Sequence, residues 1–556
     1  DITTQESLHM NPLASTKCAV RLLMALAAIS GLFLTAGCGN SSKVSTNPEG
    51  FTNASLTGTY VFSSSGFDST NGEFLAAVGS VGVDGNGNVT GGNIDINSLS
   101  FGQSSTPISA LTNAYSVGSD GRGQITLNTS SDVLPGIVLD FVLTSPSHGL
   151  VTEFDGDGTG SGTLDLQTTG ALTGSYSFGL SGSTSAGSPL ATVGTFSTSV
   201  SRAQGISFNG LADINGDGVA TADLNLAATV TAGSPGTATL SAYNSSNDLV
   251  ATYNFDVYMV DVTHLKFIEN DTSSTGVLLA GDAFTQQTSI PDGVYAYSME
   301  GLDSTTNVGP IAMAGFFTST SGTLSGVLQD YNDVGNVNEV AGTGGSFTPI
   351  TGGRTELTLT SIYNGAPSGL LGSPTFAAYP SSGGIEMLEI DNPTNGEFGI
   401  TGGIALPQGS TTTISTTPGY GLNLSAANGG GFEEDDIAQF IVDSGGNYTG
   451  AEDINDDQAF PNSTGNPFNG TLTPDTAVAG HGSAATTSGE FNFSYYVAND
   501  GATILILETD STQLGLGSFE AQSSSGSGVR AAAAHTQFSP VVVRPKGKAA
   551  WKKRSK

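Results

Sequence analysis

Leu56-Thr57-Gly58-Thr59-Tyr60 returns as Leu172-Thr173-Gly174-Ser175-Tyr176, and in reduced form as Asp292-Gly293-Val294-Tyr295 and Pro418-Gly419-Tyr420. The recurrence, every about 115 to 125 residues, is far longer than a solenoid repeat and has the length of a small domain. The ends of the units recur too. Glu153-Phe154-Asp155, Glu269-Asn270-Asp271, Glu389-Ile390-Asp391 and Glu508-Thr509-Asp510 each close an apolar run, and each is followed by a glutamine: Gln167, Gln286, Gln408 and Gln522. Four tandem domains are therefore expected, at 56–167, 172–287, 291–408 and 417–522.

Within a unit the pattern is of short strands and tight turns. In the first, 76–83 turns at Asp84-Gly85-Asn86-Gly87 into 88–97, and 115–119 turns at Asp120-Gly121-Arg122-Gly123 into 124–129. Runs at 137–144, 150–154 and 161–167 follow. Asp-Gly and Asn-Gly between such runs are strong hairpin signals, because Gly and Asn tolerate the positive φ of a strand-matching turn. The second hairpin reappears near Gly352-Gly353-Arg354 and Gly480-His481-Gly482. The expected class is all-β: about eight antiparallel strands per unit, closed into an up-and-down barrel that leaves no free edge. The alternative is a β-sandwich. An immunoglobulin-type sandwich would want paired Cys around a buried Trp, whereas the single Trp here is Trp551.

Ahead of the repeats, Leu34-Thr35-Ala36-Gly37-Cys38 resembles the lipobox of bacterial lipoproteins. Lys17 and Arg21 precede an apolar run, 22–34, too short to span a bilayer comfortably, and small residues precede the cysteine. The expected processing is a signal peptide over 10–37, with 1–9 as upstream read-through, lipidation at Cys38, and a linker over 38–55. The resemblance implies a cell-envelope location, at the outer membrane, with membrane contact through the lipid. Lipobox, Gly-x-Tyr openings, Asp-Gly-x-Gly hairpins and Glu-x-Asp closings together resemble acidobacterial-type tandem-repeat surface lipoproteins, a family that implies no function. The Leu-Thr-Gly-x-Tyr opening also looks like that of small ligand-holding barrels such as avidin, a likeness of fold alone.

Composition fits an exported β-protein. Gly makes up 78 of 556 residues and charged residues only 12%, while 37% are hydrophobic. The second cysteine, Cys18, falls within the signal, so the mature chain has no internal disulfide to rely on. Asp and Glu number 49 against 15 Lys and Arg, and between residues 44 and 529 the cations are only Arg122, Arg202, Lys266 and Arg354. Such a body repels nucleic acid and favours cations or neutral partners. From Ser523 the chain becomes a flexible basic tail over 523–556 that either grips anionic envelope polymer or stays solvated.

Candidate chemistry is sparse. Glu153, Asp155, Glu269, Asp271, Glu389, Asp391, Glu508 and Asp510 are recurrent strand-end carboxylates, read foremost as structural groups accepting backbone N–H bonds and otherwise as a cation or polar-ligand site at a barrel mouth. Asp213-Ile214-Asn215-Gly216-Asp217-Gly218 matches the front half of a calcium loop, but Leu224 stands where the loop needs a carboxylate, so a plain turn competes with a weak calcium site at Asp213, Asn215 and Asp217. Asp453, Asp456 and Asp457 form a second oxygen-rich group. No cofactor is required by any motif. No nucleophile elbow, phosphate loop or His-Glu-x-x-His occurs, and His148 and His264 each lie five residues before a Glu, on the opposite strand face. The reading is a non-enzymatic, envelope-anchored modular spacer or surface-binding protein. The alternatives are a small-molecule carrier using the barrel interiors and an envelope hydrolase.

Overall fold

The computed structural model describes residues 50–68, 73–98, 102–131, 136–155, 158–198, 206–271, 276–303, 309–333, 336–360, 373–391, 399–428, 432–456, 462–489 and 491–524. The signal segment, Cys38, Asp457 and the basic tail from 525 lie outside them. Among the described residues there is no helix long and apolar enough to cross a membrane.

Each repeat is an antiparallel meander whose first strand pairs with both the second and the last. In the second repeat, Ser175–Ser183 lies between Pro189–Ser197 and Leu278–Thr285, which closes an eight-stranded barrel. The fourth repeat closes identically, with Tyr420–Asn428 between Glu433–Val442 and Gln513–Ala521. The third is also closed, but its sheet has nine strands because the fourth barrel position is split. Asn336–Ala341 and Gly344–Pro349 both pair with Thr323–Asp333 in one register, with a break at Gly342 and Thr343. Sandwiches are thereby excluded for these three.

The first repeat departs from the expected closed barrel. Its nine-stranded sheet stays open, and its two edges are the two halves of one interrupted strand: Gly102–Ile108, paired with Val89–Ser98, and Tyr115–Val117, paired with Arg122–Asn128. Across the gap run single bridges, Val89 to Leu111 and Ile108 to Thr129, and scattered backbone bonds such as those of Ala114 N and Tyr115 N to Gly87 O, in place of a ladder. Two local features flank the break: Pro107, one residue before the end of Gly102–Ile108, lacks a ladder N–H, and Asn113 within the break takes a left-handed φ of 53°.

Strand alternation turns one face of every strand into the lumen. Tyr60 and Phe62 point inward while Val61 faces the neighbouring repeat. The lumens are filled by aromatic and aliphatic side chains. In the fourth, Phe440 contacts Tyr420, Tyr448, Phe468 and Phe519, with ring centroids 4.8 to 5.7 Å apart. Gly79 and Gly194 make room for this: each sits across from a first-strand Phe, and a Cβ there would come within 2.6 Å of the ring of Phe62 or Phe178. The recurring opening Tyr caps one barrel end. Tyr60 and Tyr176 donate their hydroxyls to the Pro146 and Val262 carbonyls, both at 2.6 Å, so each ring is buried with its polar tip satisfied.

The barrels are not beads on a string. The first three strands of each repeat pack on the last three of the next, through Val61, Phe74 and Val78 against Tyr258, Val260 and Ile268, then Ala191 and Val193 against Tyr379 and Leu388, then Ala314 and Phe316 against Leu505 and Leu507. The fourth repeat packs in the same sense on the first, Ile437 against Val142 and Leu150. Head-to-tail contacts that close after four steps make a ring.

Candidate functional site

The conserved geometry within the molecule lies at the four seams. The third strand of every repeat carries Asp-x-Asn: Asp95 and Asn97, Asp213 and Asn215, Asp330 and Asn332, Asp453 and Asn455. Two apart on a strand, both side chains face outward onto the next repeat. Each Asn donates its Nδ2 to the backbone carbonyl of the Glu in the neighbour's Glu-x-Asp: Asn97 to Glu269 at 2.7 Å, Asn215 to Glu389 at 3.0 Å, Asn332 to Glu508 at 2.9 Å, and Asn455 to Glu153 at 2.6 Å. The recurring glutamines also cross the seams. Gln167 reaches Met259 O, Gln286 reaches Gly352 O, Gln408 reaches Ala479 O, and Gln522 reaches Leu143 O and Asp120 O.

Each third-strand Asp meets a donor of the next repeat. Tyr258 donates to Asp95 at 2.7 Å. Arg354 grips Asp213 with two nitrogens at 2.8 and 2.9 Å, His481 and Tyr496 meet Asp330, and Arg122 lies 3.6 Å from Asp453. The fork-shaped guanidinium suits a buried carboxylate, and both Asp213 and Arg354 are fully buried. A further chain of alternating charge joins three repeats: Glu520 and Asp165 hold His148 at 3.0 and 2.7 Å, Lys266 lies 3.4 Å from Asp165 and 3.3 Å from Asp282, and Asp282 holds His264 at 2.6 Å. Burial opposes a charged His148, but Glu520 and Asp165 outweigh it and push its pKa up to about 10. Burial likewise disfavours the Asp165 and Asp282 carboxylates, yet the adjoining His and Lys charges hold both below the usual range.

The residues singled out from sequence thus fall into place as follows. Of the residues expected to wrap a calcium ion, Asp213 has its carboxylate engaged by Arg354 and Tyr379, Asn215 donates its nitrogen to the Glu389 and Gly399 carbonyls, and Asp217 stands in the hairpin at φ 55°. Asp453 accepts from Gly465 N at 2.6 Å. The strand-end aspartates bind locally, Asp155 accepting from Val138 N, Asp271 from the Asn254 side chain, Asp391 from Thr375 N and Asp510 from Gln513 N. The glutamates differ among themselves. Glu269 accepts from Asp271 N and Asn97, and Glu389 from Thr401, whereas Glu153 is buried beside Gly158. Glu508 lies wholly buried in the fourth lumen with neither oxygen hydrogen-bonded, so the expected backbone seal is not what this carboxyl makes. Burial, with Asp510 and Glu434 nearby, raises its pKa well above the carboxylate range. The Asp-x-Asn recurrence was the missed element, and its signal was present in the sequence 33 to 37 residues after the opening Tyr of every repeat.

No protein-family model and no curated protein matches the sequence. Among solved structures, two crystal structures of the vaccine antigen transferrin binding protein B from Haemophilus parasuis, a single and a double mutant, are similar. The first has 10% identity over 72% of this chain and 86% of that one, with a TM-score of 0.20; the second has 9% over 67% and 83%, with 0.18. That likeness is too slight to say what this chain binds.

Proposed function

We propose that the chain is a non-enzymatic envelope lipoprotein whose four barrels, locked as one ring, act as a rigid spacer or binding body held to the outer membrane through Cys38. The observation that carries this reading is the filling of the lumens. A carrier needs an open interior with a few convergent polar groups, and here Phe178, Phe196, Phe255 and Phe267 interlock across the second barrel as Phe440 and its neighbours do across the fourth. A cleft of about 390 Å³ lies instead at the mouth of the third barrel, lined by Pro291, Tyr295, Pro380, Gly384 and Leu406 among others. The histidines support the non-catalytic reading as well: His148 and His264 bond to carboxylates at seams and His481 lies among carboxylates at another, so none is set as a base against a nucleophile.

The test is fractionation of a bacterial host expressing the full chain and Cys38→Ser, followed by native mass spectrometry of the purified protein. The reading expects the wild type in the membrane fraction, the variant released but folded, and a mass equal to polypeptide plus lipid with no organic ligand beyond it. A stoichiometric small molecule on the folded protein would favour the carrier instead.

A further inference from the structure

We propose that the seam between the third and fourth repeats holds a first-row divalent metal ion of the zinc class, ligated by Asp330, His481 and Glu339. A carboxylate oxygen from each acid and a ring nitrogen of His481 lie within 4.8 Å of one another. His481 Nε2 is 3.3 Å from Asp330 Oδ2, long for a hydrogen bond between a ring and a carboxylate, while Nδ1 is held by Asp475 Oδ2 at 3.1 Å. A carboxylate on the far nitrogen is how metal-binding imidazoles are oriented, and it leaves Nε2 to face the ion.

The equivalent seam supplies the independent argument. Between the second and third repeats, Arg354 stands where His481 stands, and its guanidinium gathers three carboxylates: Asp213, Asp223 at 3.1 Å and Glu356 at 3.0 Å. Asp223 and Glu339 correspond, each on the split or intact fourth strand beside its third-strand Asp. At the third seam the three carboxylates remain, as Asp330, Glu339 and Asp475, but the guanidinium is replaced by one imidazole with two nitrogens. The two imidazole nitrogens reach Asp330 and Asp475 but not Glu339, and a divalent ion at Nε2 bridges Asp330 and Glu339 as the wider guanidinium bridges Asp213 and Asp223. The donor set selects its class, because imidazole suits zinc-like ions and disfavours calcium and magnesium, which take oxygen alone. Asp330 and His481 are buried and fixed, Glu339 is exposed and free to swing in, and water completes the shell on that side.

The experiment is titration of the metal-free full chain with Co2+, read by its visible ligand-field absorption, and with Zn2+, read as a rise in the thermal midpoint. One Co2+ per chain is expected, displaced by Zn2+. Glu339→Gln, on the surface and without a folding role, should weaken binding at least about tenfold and abolish the Zn2+ shift; Asp475→Asn should weaken it by about 10 to 100-fold, as loss of an orienting partner does. His535→Ala in the tail should change nothing. Absence of Co2+ absorption in the wild type, wild-type binding by Glu339→Gln, or loss with His535→Ala alone would each overturn the site.

Discussion

Asn455 donates from Nδ2 to the carbonyl oxygen of Glu153 at 2.6 Å, and so ties the third strand of the fourth repeat back to the first repeat. It is the fourth instance of a bond made at every seam, which makes the ring a set of like contacts and not a chain with one accidental closure. Three of the four cations between residues 44 and 529, Arg122, Lys266 and Arg354, stand at these seams, so the scarce positive charge of an acidic chain is placed between barrels. The outward polar faces that a lone barrel would show to water are here buried, with the seam asparagines bonded through Nδ2 to the neighbouring repeat.

Removing the closing bond tests the ring. Asn455 donates to two carbonyls, of Glu153 and of Gly158 at 2.8 Å. Asn455→Leu leaves both buried without a donor, a loss on the order of 1 to 3 kcal/mol. Urea unfolding followed by far-ultraviolet circular dichroism should show a lower midpoint with an unchanged slope. An unshifted midpoint would mean that the fourth seam does not contribute to stability.

Lys266 should be among the least replaceable residues. It is 1% exposed, with Asp165 and Asp282 as its charge partners in different repeats. Lys266→Met removes the cation between two buried carboxylates and leaves Asp165 to His148 and Asp282 to His264 alone, a loss of up to about 3 to 5 kcal/mol, because buried charge with less compensation is far worse than an absent pair. Adding Asp165→Asn and Asp282→Asn to it should recover a large part of the loss. If the triple variant is no more stable than Lys266→Met, the ionic chain is not the source of the effect.

The barrels were legible because turn chemistry and period-two alternation are local: Asp84 accepts from Asn86 N and Asn88 N in the hairpin where Asp-Gly-Asn-Gly is written. The recurring glutamines and Glu-x-Asp closings were legible as recurrences but not as contacts, since Gln522 meets Leu143 at a separation of 379 residues and nothing in the neighbouring sequence reports that partner. Asp213 and Asn215 satisfied a calcium-loop pattern for a related reason. Alternating oxygen donors on an outward strand face look alike whether they wrap an ion or bridge to another barrel. The interruption of the first barrel was also hidden, because an open or closed edge depends on long-range pairing and not on local propensity.

Stability should be greatest in mild acid and fall toward neutrality. Burial raises the carboxyls of Glu269 to about 8, and of Glu389, Asp95 and Asp140 to about 7. Their unfolded values are about 4, so between pH about 4 and 8 the folded state binds more protons than the unfolded one, and its stability drops as pH rises. His148, raised to about 10, adds a loss above pH about 6.5 of the same sign. Below pH about 4 the sign reverses, as Asp165 and Asp282, held low in the fold, must be protonated. Urea midpoints at pH 4.5, 6 and 8, buffered with about equal ionic strength, should decline in that order; a midpoint that rises from 4.5 to 8 would contradict the assignment.

Glu508 gives the sharpest single-residue form of the same effect. Its carboxyl shares the fourth lumen with Asp436, also buried and with neither oxygen hydrogen-bonded, and burial with the surrounding acids raises both well above the ordinary range. A glutamine has the shape of the protonated acid and cannot ionise. Glu508→Gln should therefore match the wild type near pH 4.5, where the acid is protonated in the fold, and should exceed it at pH 8, where the wild type must either ionise a buried group or hold a proton against the solution. Glu508→Ala removes side-chain volume from a close-packed wall beside Leu424 and Gly515, so it should be destabilised at both pH values. The comparison is made on the full chain by urea unfolding at the two pH values, with and without EDTA. A Gln variant weaker than wild type at pH 8, with the difference erased by EDTA, would show that the carboxylate is ionised there and holds a cation.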